Sequence, residues 1–166
     1  MAEDLGVALG AAHQAGVVHR DLKPENVLLT ERPPLRGASR DGSWLPGVKL
    51  ADFGTALRFG DLDPIRARQA VTGTLAYMAP EQLAGENVGP SADFYSLGVL
   101  LHEARFGLRP AKGNESPHPI LERRTEERFL ELVSHCLAKN PKERLSSADE
   151  FLHEVHDVGA ELGELP

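Results

Sequence analysis

Four side chains have the types needed to move a proton and to neutralise an anion. Asp21, Lys23 and Asn26 fall within His19-Arg20-Asp21-Leu22-Lys23-Pro24-Glu25-Asn26, and Asp52 opens Asp52-Phe53-Gly54 further along. A carboxylate within hydrogen-bond reach of a hydroxyl serves as a general base. Lys23 carries positive charge, and Asn26 and Asp52 carry hard oxygen donors. Taken alone, Asp-Phe-Gly reads more readily as a turn, and Lys23 as a surface charge. Ala79-Pro80-Glu81 downstream makes the three strings an ordered set, and order multiplies specificity.

The elements that must position these groups are legible in the apolar spacing. Leu5, Leu9 and Ala12 recur at helical intervals from Ala2 to Gly16, with Gly16 suited to end the helix before the apolar step Val17-Val18. Val27-Leu28-Leu29 and Val48-Lys49-Leu50-Ala51 are short runs bounded by polar, Pro or Gly residues and predict two brief strands. Between them, Glu31 to Gly47 carries Pro33, Pro34, Gly37, Gly42, Pro46 and Gly47. That composition predicts a mobile surface excursion in which Trp44 is a local packing anchor.

Phe94 to Ala104 is apolar on nearly every side, which predicts a helix through the interior. Thr125 to Ala138 is amphipathic through Phe129, Leu132, Val133, Cys136 and Leu137, which places Cys136 on the core face, and Asn140-Pro141 stops it. Ser147 and Glu150 have capping-box spacing at the start of a last helix carrying Phe151, Leu152 and Val155. No repeat appears and no linker composition divides the chain, so a single, mainly helical domain with a small strand pair is expected.

Composition narrows the partners. The 166 residues are 41% hydrophobic and 26% charged, enough for one sizeable core. The 18 basic and 25 acidic residues leave a net charge of -7, which argues against a broad nucleic-acid-binding surface. Cys136 is the single cysteine, excluding an internal disulfide framework and suiting a reducing cytoplasm. The start MAEDLG is acidic where an export signal is positive, and no apolar run reaches the roughly 18 residues of a membrane span. The histidines other than His19 show no metal-ligand spacing, and their acidic neighbours read as ordinary helix pairs. The mixed charge run from Glu122 to Arg128 reads as a solvated helix entrance.

The eight residues His19 to Asn26 match the catalytic loop H-R-D-L-x-x-x-N at every specified position, with Asp-Phe-Gly and Ala-Pro-Glu in the required order. From its first helix to its last, the chain resembles the large C-terminal lobe of eukaryotic-type (Hanks-type) serine/threonine protein kinases. The resemblance implies a mainly α, kinase-like lobe with a short strand pair at the catalytic cleft. It divides one domain over 1–166 into a catalytic loop at 19–26, a loop insertion at 31–47, an activation segment at 52–81 and a helical subdomain at 91–162.

It further implies transfer of the ATP γ-phosphate to Ser or Thr hydroxyls of protein substrates. Asp21 would accept or orient the hydroxyl proton, Lys23 would place positive charge beside the γ-phosphate, and Asn26 and Asp52 would hold Mg2+. The lysine two residues after the aspartate resembles serine/threonine kinases more than tyrosine kinases. His19 would pack beneath Phe53. Thr74, in the substrate platform Val71 to Met78, would brace Asp21 and Lys23. Asp93 would accept hydrogen bonds from the catalytic-loop backbone, and Glu81 would pair with Arg144. Arg20 would meet a phosphate added to the activation segment, for which Thr72 is the leading candidate.

Two departures from the family pattern bear on function. A glycine-rich loop and a strand lysine precede the catalytic loop in an intact kinase, whereas here the first lysine is Lys23. The N-terminal β lobe is therefore expected to be missing, with a separate or upstream lobe supplying the nucleotide clamp and an apolar inter-lobe surface left open. The stretch from Pro110 to Thr125 is short, and the family's substrate-docking elements are expected to be reduced there. The rival reading is an inactive kinase relic serving as a binding or scaffold module. Retention of Asp21, Asn26 and Asp52 argues against it. A small-molecule phosphotransferase of related fold ranks lower, because the platform ends in Ala79-Pro80-Glu81.

Overall fold

The computed structural model of the chain describes residues 1–30, 47–53, 57–58, 74–110 and 124–162. Gly54, Thr72, His118 and the connection from 31 to 46, with Trp44, lie outside them.

Helix α1 spans Ala2–Gln14, two residues less than the expected stretch. Gly16 adopts the left-handed conformation (φ 75°), and its N–H donates to the His13 carbonyl at 2.9 Å, so the spiral closes on itself. Leu5 and Leu9 are fully buried. A Cβ at Gly6 would stand 2.7 Å from Phe151 Cδ1, and one at Gly10 would stand 2.7 Å from Ala148 Cβ. These two glycines let α1 approach the last helix, α5 (Ala148–Leu162), more closely than any side chain would permit.

The expected strand pair is present, and a second antiparallel ribbon joins it. Strand β1 (Val17–Val18) pairs with β4 (Leu57–Arg58), and β2 (Val27–Thr30) pairs with β3 (Gly47–Leu50), with Val27 opposite Leu50 and Thr30 opposite Gly47. Two residues are too few for the alternating pattern by which a strand announces itself in sequence, so Val17-Val18 reads only as an apolar step.

Short helix α2 (Pro80–Ala84) ends on Gly85. Helix α3 (Ser91–Phe106) runs three residues earlier and two later than its apolar stretch suggests, because Asp93 is also buried, held by the loop it supports. Gly107 (φ 71°) ends it, donating to the Glu103 carbonyl at 2.8 Å. Helix α4 (Arg124–Leu137) buries Leu132, Val133 and Cys136 against α3. A Cβ at Gly98 would lie 2.5 Å from that of Cys136. The core gathers Leu5, Leu9, Leu22, Phe94, Leu97 and Phe151, each large side chain contributing about 1.5–3 kcal/mol by leaving water. Phe94 is its hub, with its ring 5.6 Å from His13 and 5.8 Å from Phe151. Burial pushes the Cys136 thiol well above its ordinary range, so Cys136 is packing, not a reactive group.

The cap of α5 differs from the expected box by one residue. Ser147 Oγ accepts from the Glu150 N–H at 3.2 Å, but the Glu150 carboxylate reaches the N–H of Ser146 at 2.8 Å instead of that of Ser147. The histidines also depart from expectation. His153 and Asp157 form an i,i+4 pair at 3.4 Å. In contrast, His135 joins Glu154 across α4 and α5 at 2.8 Å, and His156 joins Glu3 across α5 and α1 at 3.6 Å. Sequence distance hides such partners, since two helices bring together residues that no local window contains. Among the described residues, no helix is long and apolar enough to cross a membrane.

Candidate active site

Strand β1 delivers the chain into His19, whose side chain is fully buried. Its ring centroid lies 4.6 Å from that of Phe53, and Nε2 stands 3.1 Å from the Ala51 carbonyl oxygen. The next residue, Arg20, is left-handed at φ 68°, and Asp52 is left-handed at φ 59°. For a residue with a Cβ that conformation costs roughly 1–2 kcal/mol, so the surroundings must over-determine it.

At Arg20 the over-determination is visible. Asp93 Oδ1 accepts the Arg20 N–H at 2.8 Å, and Oδ2 accepts the His19 N–H at 2.9 Å. His13 Nε2 approaches the same Oδ2 at 2.8 Å. A buried carboxylate without partners is strongly disfavoured. Asp93, wholly buried on α3, is held by three donors. His13 was not picked out in the sequence, where it stands 80 residues from its partner.

Asp21 has two differently occupied oxygens. Oδ2 accepts from Lys23 Nζ at 2.6 Å and from Asn26 Nδ2 at 3.3 Å. Oδ1 is buried and has no hydrogen-bond partner among the described residues. An unsatisfied buried acceptor is uncommon and costs about 1–3 kcal/mol. Asn26 ends the 3₁₀ turn Pro24–Asn26 and is buried, and its Nδ2 also donates to the Asp21 carbonyl at 2.6 Å. With the amide nitrogen donating, the carboxamide oxygen is left as an acceptor. The Asn26 carbonyl takes the Ala51 N–H at 2.9 Å, continuing the β2–β3 ladder by one rung. That rung brings Asn26 and the residue before Asp52 to the same end of the ribbon.

The segment ending in Ala79-Pro80-Glu81 is fastened by side chains from three places. Ser96 Oγ on α3 donates to the Tyr77 carbonyl at 2.8 Å. The Tyr77 hydroxyl donates to Glu103, and burial, reinforced by that bond, pushes the phenol up to about 12. Gln82 Oε1 accepts the Ala79 N–H at 3.0 Å while its Nε2 donates to the Arg20 carbonyl at 2.9 Å.

Glu81 and Arg144 form a bidentate pair at 2.6 and 2.7 Å. The remaining guanidinium hydrogens go to the carbonyls of Ala138, Ser91 and Lys139. The guanidinium carbon also lies 5.0 Å from the Tyr95 ring centroid.

Of the residues singled out in the sequence, His19, Arg20, Asp21, Lys23, Asn26, Phe53, Glu81, Asp93 and Arg144 fall into this connected cluster. Thr74 opens the 3₁₀ turn Thr74–Ala76. The residues missed are His13, Ser96 and Gln82. No local signal distinguishes them.

A buried aspartate that clamps a left-handed loop, a half-satisfied carboxylate beside a lysine and a fully satisfied Glu–Arg pair together define one class of protein. The protein kinase domain family matches residues 1–156, and the chain belongs to that family. Over 170 residues it is 37% identical to the serine/threonine-protein kinase PknA of Mycobacterium tuberculosis H37Rv, covering 96% of this chain and 36% of the relative. It is 38% identical over 160 residues to serine/threonine-protein kinase A of Synechocystis sp. PCC 6803, covering 88% and 29%. To PknL of M. tuberculosis H37Rv it is 34% identical over 167 residues, covering 93% and 38%. The chain thus spans about a third of the length of the curated relatives it matches.

Proposed function

We propose that this chain is the large-lobe part of a serine/threonine protein kinase, a single domain with its catalytic loop at 19–26 and its activation segment at 52–81. It transfers the γ-phosphate of ATP to protein Ser or Thr hydroxyls once a nucleotide-clamping lobe is supplied. The observation that carries this reading is the division of labour on Asp21, with Oδ2 held by Lys23 and Asn26 and Oδ1 buried without a partner among the described residues.

Oδ1 is the oxygen that takes the acceptor proton, while Lys23 keeps the carboxylate oriented and brings positive charge to the transferred group. Asn26 and Asp52 offer two hard oxygens, a donor set that fits Mg2+ completed by phosphate oxygens and water. When bound, Mg·ATP supplies the phosphoryl group and a cation to neutralise it. The tilted ring contact of His19 with Phe53 holds the Asp52 segment, Asp93 holds the loop backbone, and Thr74 braces Asp21 and Lys23. Thr72 is the modified residue of the activation segment, with Arg20 as the partner of its phosphate. The lone buried cysteine suits a cytoplasmic setting.

The test is phosphate transfer from Mg·ATP to a Ser/Thr-containing acceptor protein, using the full protein that carries this chain. Asp21→Asn is expected to lower the rate by about 10²- to 10⁴-fold. Retention of the parent rate would falsify the assignment. A mass spectrum of the ATP-treated protein without modification between Thr55 and Thr74 would remove Thr72 from it.

A further inference from the structure

We propose that Gln82 is a positioning residue that couples the substrate platform to the catalytic base. It lies one residue past the Ala79-Pro80-Glu81 triplet, on α2, and is 7% exposed. Its carboxamide is used at both ends. Oε1 takes the Ala79 N–H at 3.0 Å, which ties it to the end of the platform, and Nε2 donates to the Arg20 carbonyl at 2.9 Å, 62 residues away in sequence.

Arg20 is the left-handed residue immediately before Asp21. Its N–H is held by Asp93 from α3 and its C=O by Gln82 from α2, so both peptide planes that flank its φ and ψ are pinned by side chains from different helices. Asp93 alone fixes only the entering plane. The departing plane is the Arg20–Asp21 peptide, whose orientation sets where the Asp21 side chain leaves the backbone.

A carboxamide is the one side chain of this length that accepts at one end and donates at the other without carrying charge. The platform that receives the acceptor hydroxyl and the carboxylate that takes its proton are thereby fixed to one amide. Displacing the platform displaces the donor on Arg20, so the base is set only when the platform is seated. The inference rests on Asp21 being the base of the reaction proposed above, and it assigns to Gln82 no contact with substrate.

Gln82→Glu separates the two halves of the clamp. A carboxylate still accepts the Ala79 N–H but cannot donate to the Arg20 carbonyl and faces it with like partial charge. In the full protein the expected result is a kcat lowered by about 10- to 100-fold with KM for the acceptor within about twofold of the parent. Hydrogen exchange at the Asp21 amide, which donates to His19 Nδ1 at 3.3 Å from the peptide plane that Gln82 holds at its carbonyl end, is expected to quicken by about 2- to 10-fold, with the amides of Val99 to Leu101 in α3 unchanged.

A Gln82→Glu protein with either kcat or Asp21 exchange equal to the parent overturns the proposal, as does equal quickening throughout α3. Should Gln82→Glu not fold, Gln82→Met, which keeps the length and removes both bonds without charge, takes its place under the same two readouts. A parent without phosphate transfer overturns the kinase reading and with it the catalytic role. Exchange at Asp21, measured without nucleotide, tells that outcome apart from failure of the clamp itself.

Discussion

At the scale of single residues, Arg144 shows most clearly how the site is fastened. Arg144 places all five of its N–H groups, two on Glu81 and three on backbone carbonyls. Lysine has three donors and no planar fork. Arg144→Lys therefore leaves buried carbonyls and part of the Glu81 carboxylate unsatisfied, and breaking such a buried pair is expected to cost about 3–5 kcal/mol, read from the denaturant midpoint.

Tyr77 carries a pH dependence. Its phenol titrates at about 12 when folded, against 10.0 ordinarily, so the folded protein holds that proton more tightly than the unfolded chain. The stabilisation is complete below pH 10 and is lost as pH climbs from 10 towards 12. Burial also raises Tyr95, so Tyr77→Phe should flatten part of the alkaline fall in stability. A Tyr77→Phe protein with the parent's alkaline slope would show that the Tyr77 phenol is not the source.

At the scale of elements, the close approaches of α1 to α5 and of α3 to α4 decide where the loop is held. α3 is the central piece because it supplies both Asp93 and Ser96, and α4 presses on its other side at Gly98. Alanine at position 98 would improve helix propensity by about 1 kcal/mol. Its methyl, however, would lie 2.5 Å from Cys136 Cβ, an atom attached to backbone that cannot swing away. Overpacking of this kind typically costs about 1–3 kcal/mol, so the clash prevails. Gly98→Ala is expected to lower the midpoint of urea unfolding at unchanged m-value.

At the scale of the whole molecule, burial is uneven. The four long helices close a continuous core, whereas Leu28 and Leu29 on the β2 ribbon and Phe53 next to Asp52 are left 49%, 67% and 42% exposed. A two-stranded ribbon is marginal without a cover, and apolar side chains clustered beside a site mark a surface that meets something else. This is the surface that the proposed nucleotide-clamping lobe would meet. Leu29→Lys, at a side chain that is exposed in this chain, is expected to change stability by no more than about 0.5 kcal/mol, read from the denaturant midpoint. A larger loss would show that Leu29 is packed within the chain and would remove it from that surface.

The proposed chemistry and the helices share one property: both are written in short windows. The loop His19 to Asn26 contains its proposed base, lysine and amide within eight residues. Leu5, Leu9, Leu132 and Val133 recur at a period that only a helix satisfies. The centre of α3 announced itself by being apolar all round, while its first turn did not, because Asp93 is buried for the sake of a loop 73 residues away in sequence.

Tertiary structure alone decided the left-handed turn at Arg20, the addition of His13 to the Asp93 carboxylate, the second ribbon and the Gln82 bridge. Each is a hydrogen bond, or the consequence of one, between groups distant in sequence. Its existence depends on a separation of about 3 Å that no spacing of residue types along a chain specifies.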